Sequence, residues 1–132
     1  MPEIPVASPP LVVSGTVKTI SNGRYRNKGP MARGVEMDMG PAVVLDTGAA
    51  EIALISRQVE PSDLNCLLAL GIDPMQKRYL MLKSRIHWRA GFGGLAKAVV
   101  DCAGVGVCTS DYGQLRFTKV RRPIYPLDLP NR

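Results

Sequence analysis

Between Leu11 and Ser56 the chain repeats one device, a short run rich in β-branched residues closed by residues that tolerate a sharp reversal of direction. Such punctuation leaves no room for long helices and restricts this half to antiparallel β structure. The run LVVSGTVKTI is followed by Ser21, Asn22 and Gly23 and then by RYRN, a spacing that predicts a hairpin. Beyond the loop GPMARG, the stretch VEMDMGPAVVLDTGAAEIALIS supplies two more strand-like runs separated by Thr47, Gly48, Ala49 and Ala50. Ahead of these, Pro2, Pro5, Pro9 and Pro10 exclude helix and central strand from residues 1–10, which read as a proline-rich lead-in or linker. Residues 11–132 are expected to form a single domain, since 132 residues at 45% hydrophobic content suit one core.

The pattern changes after residue 56. Pro61, Ser62 and Asp63 are helix-start residues, and Leu64, Leu67, Leu68 and Leu70 follow at near-helical spacing until Gly71. RYLMLK then reads as a compact apolar strand, Ser84 as the cap of a second helical turn from Arg85 to Ala90, and KAVVDC as a further strand. Strand, helix, strand, helix, strand in that order predicts a β-α-β-α-β segment with parallel pairing and right-handed crossovers. The expected fold class is α+β, a mixed sheet in which antiparallel β-ribbons at the N-terminal half precede that segment. Gly91, Gly93 and Gly94 each weaken the second helix by about 1 kcal/mol relative to alanine, which predicts a short or broken one. From Gly104 onward the sequence is irregular and ends in a proline-punctuated tail.

Several function classes drop out on counts and spacing. The chain has one histidine, His87, which excludes a His-rich zinc site, and no HxxxH or carboxylate-rich spacing supports a mixed one. No GxSxG elbow is present, so neither a catalytic residue nor a metal ligand is assigned and catalysis by this chain alone is not expected. Cys66, Cys102 and Cys108 are odd in number, lack CxxC spacing and sit in apolar company, which fits reduced, buried thiols. The formal charge of +6 suits an anionic partner, yet the basic residues fall in short groups and aromatics make up only 5%, so nucleic-acid binding is disfavoured. No run approaches the ~18 apolar residues of a membrane span, and no basic head precedes an apolar stretch. The expectation is a soluble protein of the cytoplasm, without a membrane partner.

Three segments remain as candidate sites. KSRIHWR follows directly on an apolar strand, where the end of a strand and the start of a helix form a crevice suited to an anion, and it would set Ser84, His87 and Arg89 there. They would contact a substrate carboxylate or peptide carbonyl; alternatively Ser84 is an N-cap, His87 a structural histidine, and the arginines solvated. In GPMARG, Gly29, Pro30 and Gly34 fix a tight loop able to bring Arg33 to another surface, or simply to connect two strands. VRRPIYPLD, with Arg121, Arg122 and Pro123, suits an extended segment that docks on a neighbouring domain.

Taken together, SNGRYRNKGPMARGVEMDMGPAVVL, ISRQVEPSD, LGIDP, LKSRIHWRAGF and VRRPIYPLD resemble, in the same order, the C-terminal domain of the microcystinase C (MlrC-like) family. The resemblance covers about residues 12 to 128 and implies a two-domain zinc-dependent peptidase of the kind that breaks down the cyclic peptide microcystin. It implies that zinc belongs to an N-terminal domain outside this sequence, so no ligand carries over to any residue here. The expected partners are that N-terminal metal-binding domain and a peptide substrate. What carries over is the KSxxHxR motif (Lys83, Ser84, His87 and Arg89) and the GPM loop (Gly29, Pro30, Met31 and Gly34), facing or framing the cleft. Gly91, Gly93 and Gly94 and the DCAGVGVCTSD segment depart from the pattern of that family. A non-enzymatic fragment or interaction domain, or a small basic nucleic-acid-binding module, are the competing readings.

Overall fold

A computed structural model describes residues 10–102, 112–115, 117–125 and 127–128. Its residues group into two compact units, Val12–Val99 and a second made of Met1–Leu11 with Val100–Arg132. The first holds five strands, β1 (Thr16–Ser21), β2 (Arg24–Arg26), β3 (Glu36–Asp38), β4 (Ala42–Asp46) and β5 (Glu51–Ile55), and two short helices, α1 (Asn65–Leu68) and α2 (Trp88–Phe92). A three-stranded sheet has the order β1-β4-β5, and β2 and β3 form a separate ribbon. Every pairing is antiparallel.

The α+β class and the antiparallel first half are as the sequence implies, and Thr47–Ala50 does close the β4–β5 hairpin. Two expectations fail. Ser21-Asn22-Gly23 does not fold β1 back on β2; it carries the chain from the sheet to the ribbon, while β1 pairs with β4. The cause lies in the partners on offer, because β4 sets Val43 and Leu45 opposite Ile20 and Val17, whereas the RYR of β2 offers charged side chains.

The β-α-β-α-β segment is also not formed. Neither RYLMLK nor KAVVDC is a strand, and no parallel pair occurs among the described residues. Parallel strands need cover on both faces, yet Tyr79, Met81 and Val100 are exposed. The intervening helices of four and five residues rise only about 6–8 Å, too little to return along a strand.

Helix α1 ends in a Schellman closure: Gly71, at φ 77°, donates its N–H to the Leu68 carbonyl and Ile72 donates to that of Leu67. This turns Ile72 inward. The core gathers Ala42 and Val44 from β4, Tyr25 from β2, Met39, then Cys66, Leu70 and Ile72 around α1, and Phe92 from α2.

Asp63 organises this packing. It is only 1% exposed, and its carboxylate accepts from the backbone N–H groups of Lys28 (2.9 Å) and Gly29 (2.6 Å) through Oδ2 and of Asn65 (2.8 Å) through Oδ1. The Asn65 side chain adds a bond from Nδ2 to the Arg26 carbonyl at 2.7 Å. Helix α2 arrives from the other side, where a Cβ on Gly91 would stand 2.7 Å from the Ser62 carbonyl oxygen and 2.8 Å from Asp63 Cα. The glycine that weakens α2 locally is thus what lets it pack. No helix among the described residues is long and apolar enough to cross a membrane.

Asp63→Ala removes the acceptor of three part-buried backbone amides and is expected to lower unfolding free energy by roughly 3 kcal/mol. Gly91→Ala overpacks the α2 contact and should cost about 1–3 kcal/mol. Urea denaturation of both variants measures these losses.

Candidate functional site

The segment from Glu60 to Asp63 holds both sequence motifs in place. At its start the Glu60 carboxylate accepts from the Ser84 hydroxyl through Oε1, and its Oε2 lies 2.7 Å from His87 Nδ1. Ser84 Oγ in turn accepts from the Trp88 N–H at 3.0 Å, so its oxygen meets the first amide of α2 while its proton is committed to Glu60. Ser84 is not the N-cap expected of it, since α2 starts at Trp88 with His87 at its N-cap position and no side-chain cap; its hydroxyl instead meets the helix start from one turn earlier. With Nδ1–H donating to a carboxylate, the neutral His87 ring presents Nε2 as an acceptor. Among the described residues Nε2 has no partner, and the side chain is half exposed.

The Ser84 hydrogen bond, and after it that of His87, hold the Glu60 carboxyl below the ordinary glutamate range. Its contribution to stability is present above that ordinary range and fades as pH falls through the lowered value.

Arg89 lies over the Trp88 ring, 4.7 Å from its centroid, and donates to the Arg85 carbonyl at 3.1 Å. Lys83 is exposed. The predicted crevice at the end of a parallel strand does not exist, since residues 78–83 form no strand; Glu60 gathers the motif instead.

GPMARG is the connection of the β2–β3 ribbon, with Gly34 at φ 83° donating its N–H to the Asn27 carbonyl at 2.8 Å. Its first residue, Gly29, and Lys28 just before it donate their N–H groups to Asp63, and a Cβ on Gly29 would press to 2.9 Å on Oδ2. Pro30, Met31 and Arg33 are exposed, and Arg33 reaches only the Gly29 carbonyl, at 3.5 Å. The loop and α2 thus meet the same aspartate from two sides. In the second unit, Arg122 pairs with Asp128, whose Oδ2 also accepts from the Ile124 N–H at 2.7 Å; Arg121 and Pro123 are exposed.

Glu60 and Asp63 were not singled out from the sequence as site residues. A signal existed. From Pro74 to Val100 the chain carries Lys77, Arg78, Lys83, Arg85, Arg89 and Lys97 without one Asp or Glu, so the counter-charge of KSRIHWR has to come from elsewhere. Glu60 and Asp63 are the acidic residues between Glu51 and Asp73.

These donors do not fit a metal centre. Among the described residues no three His, Cys, Asp or Glu side chains converge, and Glu60 and His87 make only a pair. Asp63 is committed to backbone amides, and burial, with the nearby Asp63 carboxylate adding to it, pushes the Cys66 thiol up to about 12. Tyr25 is likewise raised to about 12, first by burial and then by Cys66 and Asp63. Cys66 is the buried thiol that the sequence suggests; Cys102 is exposed, against expectation, and Cys108 lies outside the described residues.

The sequence profile of a family described as "MlrC C-terminus" matches residues 3–119. Microcystinase C of a Sphingomonas species is 27% identical over 120 residues, 90% of this chain and 22% of that protein. A proposed metallopeptidase from Mesorhizobium sp. BNC1, known from a crystal structure at 2.13 Å resolution, superposes with a TM-score of 0.73 at 26% identity. That match covers 89% of this chain and 23% of the other. The chain therefore spans less than a quarter of the length of either relative.

In peptide-mapped alkylation at pH 8, Cys102 is expected to label readily and Cys66 to stay unmodified until the protein is unfolded. For Glu60, the melting temperatures of wild type and Glu60→Gln should differ at neutral pH and converge once the pH falls below the lowered carboxyl value. A difference that persists in acid would contradict the assigned hydrogen bonds.

Proposed function

Because the chain belongs to the MlrC C-terminus family, we propose that it serves as the C-terminal domain of a zinc metallopeptidase of the microcystinase C kind. There it completes one wall of the substrate cleft and orients a peptide, in a cytoplasmic enzyme. The zinc and its ligands reside in the N-terminal domain, and this chain alone is not catalytic. The observation that carries the role is the half-exposed His87 ring, held at Nδ1 by Glu60, with no partner at Nε2 among the described residues. In that tautomer Nε2 accepts a peptide N–H, and on protonation it donates to a carbonyl or carboxylate.

Lys83 and Arg89 add positive charge on the same short segment, suited to the carboxylates of an acidic peptide or a free C-terminus. Ser84 acts through others, fixing α2 and Glu60, and Arg33 offers a further cation on the loop joined to the same segment through Asp63. A nucleic-acid role draws less support, because Arg24, Arg26, Arg57, Lys18 and Lys77 are already paired with carboxylates.

In intact Microcystinase C, alanine at the positions matching His87 and Arg89 is expected to lower kcat/KM on a peptide substrate by about tenfold to a hundredfold, through lost positioning. Zinc content per enzyme should stay unchanged. Unaltered kinetics would remove these residues from the cleft.

A further inference from the structure

The two faces of the β1-β4-β5 sheet have different fates. Ala42 and Val44 of β4 are buried in the core. The alternate residues Val43 and Leu45 point the other way, and the register sets Ile20 and Leu54 beside Val43, and Val17 and Ile52 beside Leu45. Six apolar side chains from three strands thus form one continuous patch. Within it Val17, Ile20 and Leu54 leave 53%, 80% and 51% of their surface in solvent.

The strand is irregular in a way that completes this patch. Val17 and Ile20 are three residues apart and would fall on opposite faces of a regular strand. The shift between Val17 and Thr19 inserts Lys18 as an extra residue and brings both to the outer face. Lys18 turns instead to Glu51 and Asp46, so the charged groups of the three strands pair with one another outside the patch. An antiparallel sheet that meets water on one face normally alternates polar residues there. This one does not, and contiguous exposed apolar surface marks an interaction site.

We propose that this outer face is the surface by which the domain docks onto the rest of a full-length family protein. The choice of occupant rests on length, since more than three quarters of each relative lies outside the matched segment and is joined to it in one polypeptide. The inference builds on the reading of the chain as a C-terminal domain, but concerns attachment and not substrate contact.

Hydroxyl-radical footprinting, read residue by residue by mass spectrometry, tests it on this chain alone and on intact Microcystinase C. Val17, Ile20 and Leu54 should oxidise readily in the isolated chain while Val44 and Leu70 do not, and the matching outer-face positions of intact Microcystinase C should lose that reactivity. Equal oxidation in the two proteins overturns the proposal. A second copy is the alternative occupant. If the isolated chain sediments as a dimer, Ile20→Lys with Leu54→Lys returns it to a monomer with unchanged circular dichroism, and the positions in Microcystinase C stay reactive, the face is a self-interface and the proposal falls. Protection of this face is read independently of turnover, so it can hold even where replacement of the matching histidine leaves kinetics unaltered.

Discussion

One buried carboxylate decides the shape of the first unit. Asp63 takes two amides from the loop after β2 and one from α1, and glycines stand against it on both sides, Gly29 at the carboxylate and Gly91 at the backbone. Hydrogen bonds to an ionised acceptor are among the stronger ones available, and here they join segments more than thirty residues apart. The β2–β3 ribbon carries few apolar residues and could not hold its place through a core of its own, since only Tyr25 and Met37 contribute to the packing. Its attachment is polar and directional. That is why the loop has a defined position although most of its side chains are exposed.

The same short segment controls the exposed histidine through a different physical regime. Glu60 lies near the surface, where ion pairs add little to stability, so its bonds to Ser84 and His87 set orientation more than they hold the fold. Two residues, Pro61 and Ser62, separate a carboxylate that builds structure from one that aims a side chain. A displacement of the Pro61–Ser62 link would be felt at both, which ties the geometry of the KSRIHWR segment to the integrity of the core.

Much of this was legible in the sequence where the information is local. The turn at Thr47–Ala50 and the stop at Gly71 each depend on a few adjacent residues, and each formed as the residues imply. What could not be read was pairing between distant segments. RYLMLK has the composition of a strand, but composition does not say whether cover exists for both faces, and Tyr79 and Met81 remain in water. Ser21-Asn22-Gly23 has the chemistry of a hairpin turn, yet the better apolar match of β1 with β4 prevailed. Glu60 and Asp63 escaped because a helix-start motif is ordinarily explained by the helix it starts.

The sheet of this domain also has two open edges, β1 and β5. On β1 the bulged Lys18 disturbs the ladder, a usual defence against stray pairing; β5, reading EIALI, has neither proline nor lysine. An unguarded edge beside an apolar face resembles the templates on which chains stack in the wrong company. β5 is therefore the strand of this sheet most open to pairing with another chain wherever nothing lies beside it.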